Sequence, residues 1–246
     1  MKAMILSAGR GERMRPLTDN CPKPLLKVKG IPLIEYHIKN LAAAGINDIV
    51  INHAWLGQKI VDYLGDGEKY GVNIEYSEEL VALETAGGII KALPILTKNN
   101  DVFVVVNGDI YTDYQYTELL KEVSAKTVLG EDKLSADFDA HLMLVKNPSH
   151  NVKGDFQLED GKLLNPKDTL KQTYTFSGIG IYHKRFFEFS SQHDEKHSTS
   201  KQESITQRLA PMLRTSADKG RILASVLNVV WTDVGTPERL AQLNRN

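Results

Sequence analysis

The 246-residue chain has one cysteine, Cys21, so it forms no internal disulfide and builds no cysteine zinc cluster, and a reducing compartment is expected. It has almost no net charge: Lys+Arg 30 against Asp+Glu 31 leaves −1. That excludes the global basic field of a general nucleic-acid binder. Long hydrophobic runs are missing too. Val102 to Val106 is of strand length, far below a bilayer span. The apolar start, Met1 to Leu6, is too short for a secretory leader and runs at once into a Gly/Arg loop. A cytoplasmic location with no membrane partner is therefore expected. The seven histidines lack metal-ligand spacing such as His-x-x-x-His, and there is no Gly-x-Ser-x-Gly elbow. No internal repeat or linker is evident. Apolar residues at 41% and charged residues at 25% are globular values. At roughly 150 residues per domain, residues 1–246 are read as one elaborated domain, with halves meeting near residue 125.

Short apolar runs alternate with helical patterns through the first half. Ala3 to Leu6, Ile49 to Ile51, Ile74 to Tyr76 and Val102 to Val106 read as strands. Helices are predicted from Pro32 to a stop at Gly45, from Gln58 to Leu64, and from Thr85 to a stop at Pro94. This alternation predicts an α/β fold with a doubly wound, mainly parallel sheet. Ligands of such sheets bind at the carboxyl ends of the strands, which directs attention to the loops after Leu6, Tyr76 and Val106. The second half is less regular. Ala140 to Val145, Phe156 to Leu158, Gly178 to Tyr182 and Ile222 to Val230 read as strands. Glu131 to Asp139 and Ser190 to Ser204 read as polar surface loops. Thr236 is suited to N-cap a last helix with Pro237 at its first position.

The loop from Ser7 to Pro24 carries Gly9, Gly11, Arg10, Arg13, Arg15 and Lys23. The glycines allow close backbone approach, backbone N–H groups can cradle phosphate oxygens, and the four cations surround one predicted strand end. The loop lacks the third glycine of a dinucleotide fingerprint and the Gly-Lys-Ser/Thr of a P-loop. As a whole it points to polyphosphate binding. Asn107-Gly108-Asp109 follows the most buried-looking strand and is either a plain turn or a Mg²⁺ carboxylate, since Mg²⁺ takes one or two carboxylates plus substrate phosphates. Asp233 repeats the situation after Val229-Val230-Trp231. Glu84-Thr85-Ala86-Gly87-Gly88 is either a Thr85-capped helix start or a flat surface for a base or ribose. Cys21 lies in a Pro-bounded loop near cations and is either reactive or incidental.

The run Leu6 to Thr18 with Pro22-Lys23-Pro24 resembles the signature of sugar-1-phosphate nucleotidyltransferases. Asn107-Gly108-Asp109 and Trp231 to Arg239 resemble the two metal-site segments of that family, in order. The resemblance implies a Rossmann-like core with a smaller sugar-binding β region. It also implies Mg²⁺, and a nucleoside triphosphate and a sugar 1-phosphate as the partners of a monomer or small homo-oligomer. Arg13 and Lys23 would be the catalytic cations, and Asp109 and Asp233 the metal ligands. Ala8, Gly9, Gly11, Glu79, Thr85 and Gly87 would line the nucleotide, and Asn107, Asp155 and Gly178 the sugar side. Leu83 to Ile89, Val105 to Ile110, Gly154-Asp155-Phe156 and Tyr174 to Ile179 resemble the short bacterial members that use UTP and N-acetylmuramate 1-phosphate in cell-wall (peptidoglycan) recycling. Some of these submotifs are shared with mannose-1-phosphate guanylyltransferases. Asn165-Pro166-Lys167 stands where glucose-1-phosphate enzymes of the family carry Glu-Lys-Pro. A lactyl carboxylate calls for a cation, with Lys153, Arg208 and Arg214 as candidates. A non-catalytic nucleotide-sugar sensor is the alternative of a different class.

Overall fold

A computed structural model describes residues 1–81, 83–126, 138–167, 170–188 and 206–245. In chain order its strands are β1 (Lys2–Leu6), β2 (Lys27–Val28), β3 (Ile31–Pro32), β4 (Asp48–His53), β5 (Asn73–Glu78), β6 (Val102–Asn107), β7 (Ile110–Thr112), β8 (Ala140–Val145), β9 (Phe156–Glu159), β10 (Lys162–Leu164), β11 (Thr173–His183), β12 (Ile222–Val226) and β13 (Trp231–Asp233). The helices are α1 (Leu33–Ala43), α2 (Gly57–Leu64), α3 (Glu84–Leu96), α4 (Tyr116–Lys126), α5 (Leu209–Asp218) and α6 (Pro237–Arg245).

Nine strands form one sheet in the order β5-β4-β1-β6-β11-β8-β12-β10-β9. The expected α/β architecture is present, and its parallel part is β5-β4-β1-β6. Beyond β6 the sheet turns mixed: β11 runs antiparallel to β6 and β8, and β12 runs parallel to β8. The reason lies in the connections. Parallel neighbours need a long crossover, which the helices of the first half supply. β9 and β10 are instead joined by Asp160-Gly161, both at positive φ, the geometry of a two-residue hairpin turn.

Helices cover both faces. Ile34, Ile38 and Leu41 of α1, Ile60 and Leu64 of α2, and Tyr116 and Leu119 of α4 pack on one side. Ala86, Ile89, Ala92 and Leu96 of α3 pack on the other with Leu209, Leu213 and Ala217 of α5. β6 is buried on both faces from Val102 to Val106. From β1 the chain winds outward to β4 and β5, then crosses back through α3 to β6 on β1's other side. The two loops that leave the paired ends Leu6 and Asn107 therefore diverge, which opens a crevice at this topological switch point.

Several boundaries differ from the sequence reading. α3 does not stop at Pro94 but runs to Leu96. Pro94 lies in the last turn, where its missing N–H removes only one helical bond, and both Thr97 N and Thr97 Oγ1 bond Leu93 O. β12 ends at Val226, not Val230, because its partner β8 ends at Val145. Asp139 is not on a surface loop: it is 3% exposed and held by Arg185 (2.9 Å) and Arg221 (2.7 Å). The rest of that segment through residue 137, and Ser190 to Ser204, lie outside the described residues. Thr236 does cap α6, its Oγ1 accepting Arg239 N–H at 3.4 Å. Among the described residues no helix is long and apolar enough to cross a membrane.

Candidate active site

A cleft of about 520 Å³ opens over the ends of β1 and β6. It brings together Ala8, Gly9, Gly11, Arg13, Lys23, Glu79, Thr85, Asn107 and Asp109 as lining residues. Ser7, Glu12, Asn52 and Glu84 line it as well.

The loop after β1 is folded on itself. Gly11 sits at φ 67 and starts a one-turn helix whose Met14 is fully buried. Gly11 O accepts both Met14 N (2.9 Å) and Thr18 Oγ1 (2.8 Å). This curl sorts the four cations. Arg15 turns away to Asp19 at 2.6 Å, and Arg10 lies 4.6 Å from the Trp55 ring centroid. Arg13 and Lys23 alone of the four line the cleft, and no described residue pairs with the Arg13 guanidinium. Lys23 Nζ meets Asp109 Oδ2 at 2.5 Å. The four-cation reading therefore reduces to two.

At the far end of the cleft, Asn52 Oδ1 accepts Ser7 N–H (2.8 Å) and Asn52 Nδ2 donates to Glu79 Oε1 (2.6 Å). Leu83 N donates to Glu79 Oε2 at 3.2 Å. The start of α3 is capped neither by Thr85 nor by an open row of N–H groups. Ala86 N and Gly87 N both donate to Gln207 O, at 2.9 and 3.1 Å. Gly87 thus lies behind the cleft lining with its N–H engaged. Glu84 holds φ 60, a conformation that costs a non-glycine residue roughly 1–2 kcal/mol, and its carboxylate lies 3.6 Å from Arg208.

Asp109 and Asp233 come from opposite ends of the chain. Antiparallel pairing of β7 with β13 sets Ile110 against Asp233, and Val234 N donates to Asp109 O at 2.8 Å. Asp233 is not itself a lining residue, but its Oδ2 lies beside Gly235, which is. Its carboxylate pairs with Arg239, and His150 Nε2 lies 2.8 Å from it. Neither His150 nor Arg239 was singled out from the sequence; Arg239, three residues after a capping Thr, was the legible one. The donor set suits magnesium. It consists of two partly exposed carboxylates (39% and 27%), Asp109 in the turn just before β7 and Asp233 at the end of β13, and Mg²⁺ takes its remaining ligands from water and phosphates. Among the described residues no cluster of three or more His, Cys, Asp or Glu is present. Beneath, His37 Nε2–H donates to Ile110 O (3.0 Å) and His37 Nδ1 accepts from Tyr116 OH (2.8 Å). Because Ile110 O can only accept, Nε2 carries the hydrogen, and burial pushes the ring's pKa down to about 4, which keeps it neutral near pH 7.

Of the residues expected on the sugar side, Asn107 lines the cleft and Gly178 lies against its side chain. Asp155 does not line the cleft: its carboxylate accepts Phe176 N–H (2.9 Å) and Asn151 Nδ2–H (3.1 Å). Lys167 is a surface residue, 3.4 Å from Asp218. Arg214 sits over the Phe156 ring at 5.3 Å, and Lys153 is exposed. Burial pushes the Cys21 thiol up, which argues against a reactive thiolate.

Comparison with known proteins agrees with this geometry. The family model described as nucleotidyl transferase matches residues 2–134. An N-acetylmuramate alpha-1-phosphate uridylyltransferase of Neisseria meningitidis serogroup B is 47% identical over 243 residues, 98% of this chain and 96% of that protein. A mannose-1-phosphate guanyltransferase of Yarrowia lipolytica is 42% identical over 120 residues, 48% of this chain and 33% of its own length. In fold, the chain superposes with a TM-score of 0.81 at 22% identity on a Bacillus anthracis structure assigned as a glucose-1-phosphate thymidylyltransferase, covering 100% of this chain and 94% of that one. A family model that spans more than half of the sequence, and a relative 47% identical over nearly the full length of both proteins, show that this chain belongs to the nucleotidyl transferase family.

Proposed function

We propose that the chain transfers a uridylyl group from UTP to N-acetylmuramate 1-phosphate, giving UDP-N-acetylmuramate and pyrophosphate. The observation that carries this reading is 47% identity over nearly the full length of both chains to an enzyme of that name. A phosphate oxygen of the sugar phosphate attacks the α-phosphorus of UTP, and the bond to the bridging oxygen of pyrophosphate breaks. Arg13, the cleft cation with no protein partner among the described residues, neutralises the leaving pyrophosphate. Lys23 brings its ammonium to the transferring phosphate beside Asp109. Asp109 and Asp233 would hold Mg²⁺, which supplies charge neutralisation and polarisation of phosphoryl oxygens. Asn107 contacts the sugar. Catalysis is positioning and electrostatics, with no covalent enzyme intermediate. A UTP-consuming reaction in a chain with a single cysteine fits the cytoplasm.

The test is pyrophosphate release with Mg²⁺, pairing UTP, dTTP and GTP with the 1-phosphates of N-acetylmuramate, glucose and mannose. UTP with the muramate sugar is expected to dominate. Dominance of another pair overturns the sugar assignment and leaves the reaction class standing. Nucleotide binding without release for any pair points to a sensor.

A further inference from the structure

We propose that Asn52 is a positioning residue that ties the phosphate-binding loop and the base side of the cleft to one another through a single amide. The proposal rests on the nucleotide reading of the cleft above and extends it: Ser7 begins the loop that takes the phosphates, and Glu79, across the cleft, takes the base and ribose.

Asn52 is 3% exposed at the carboxyl end of β4, the strand next to β1. Its two amide atoms do opposite things. Oδ1 accepts the backbone N–H of Ser7 at 2.8 Å, and Nδ2 donates to Glu79 Oε1 at 2.6 Å. The orientation is dictated by the partners: a backbone N–H can only donate and a carboxylate only accept. Aspartate would keep the first bond and lose the second, leucine would lose both, and glutamine would be one carbon too long.

Glu79 gives the contact its weight. It is 5% exposed, and no described Lys or Arg pairs with it. Neutral donors hold the carboxylate: Asn52 on one oxygen, Leu83 N at 3.2 Å on the other. Gly88 closes it from below, since a Cβ there would stand 2.5 Å from Oε1 and 2.9 Å from Asn52 Nδ2. Glu79 itself lines the cleft. The spacing between the phosphate grip and the base grip is thus set by one side chain that belongs to neither segment.

The experiment compares wild type with Asn52→Asp, Glu79→Gln and the double variant, reading Kd for UTP by calorimetry in Mg²⁺, kcat, and Tm. Asn52→Asp keeps the acceptor for Ser7 N–H but sets a carboxylate against Glu79. Losing a hydrogen bond to a buried charge is worth about tenfold or more in affinity, so UTP binding weakens about tenfold while kcat falls less. The double variant, Asn52→Asp with Glu79→Gln, reverses donor and acceptor across the same contact. The amide introduced at position 79 then donates to the carboxylate introduced at position 52, and the affinity of Glu79→Gln alone is recovered. A purely structural role would lower Tm and leave Kd unchanged. UTP affinity within twofold of wild type in Asn52→Asp, or no recovery in the double variant, overturns the coupling. Failure of wild type to bind UTP overturns instead the nucleotide reading of the cleft. If Asn52→Asp does not fold, Asn52→Ala removes both bonds and is expected to weaken UTP in the same direction.

Discussion

Gly88→Ala puts two opposed effects in one residue. Gly88 lies inside α3, where alanine is preferred over glycine by about 1 kcal/mol, so helix propensity alone predicts a more stable protein. The added Cβ would stand 2.5 Å from Glu79 Oε1 and 2.9 Å from Asn52 Nδ2. The clashing atoms end side chains, and an exposed glutamate would swing aside at little cost. Glu79 is 5% exposed, with one oxygen held by Asn52 and the other by Leu83 N. Displacing it breaks at least one hydrogen bond to a buried charge, about 1.5–3 kcal/mol. The clash outweighs the propensity, leaving a net loss of about 0.5–2 kcal/mol. For a chain of this size that is a fall in Tm of roughly 1–8 °C, and the Kd for UTP rises about tenfold because the carboxylate leaves its place. Differential scanning fluorimetry with and without UTP and Mg²⁺ reads both numbers. A Tm equal to or above wild type with unchanged UTP affinity would refute the reasoning, since Glu79 would then be free to move.

The remaining expectations concern the two proposed metal ligands and a buried histidine. Asp109→Asn or Asp233→Asn keeps the β7–β13 pairing and removes a charge, so turnover falls on the order of 10²–10³ with a near wild-type circular dichroism spectrum; wild-type turnover in either would remove that aspartate from the metal site. His37, with its pKa pushed down to about 4 by burial, is neutral when folded and titrates near 6.5 when unfolded. The unfolded state therefore takes the proton first, and stability present above about pH 6.5 is lost as pH falls toward 4. At 1.36 kcal/mol per pKa unit the loss reaches about 3 kcal/mol. Urea unfolding of wild type and His37→Gln at pH 7 and pH 5 isolates the effect as a difference of differences, and equal pH dependence in both proteins would show that His37 does not carry it.

Much of the first half was legible in the sequence because the signals there are local. Apolar runs of strand length, periodic helical faces, and Pro and Gly at helix ends act over a few residues, and they located β1, β4, β5, β6, α1 and α2 to within a few positions. The glycine-rich loop after Leu6 and the aspartate after Asn107 were readable for the same reason, since strand ends in a wound sheet are where ligands go. What the sequence could not show is which distant group each polar side chain would meet. Arg10 and Arg15 look equivalent to Arg13 until Trp55 and Asp19 claim them. Asp233 reaches Asp109 only because β13 pairs with β7 across more than a hundred residues. Gln207 takes the N–H groups of Ala86 and Gly87, and Asn52 joins Ser7 to Glu79, without any local pattern announcing either. A buried donor or acceptor must find a partner, but the partner's identity is set by loop closure and strand order. Composition and periodicity determined the scaffold and the position of the cleft, and long-range packing decided which side chains face it.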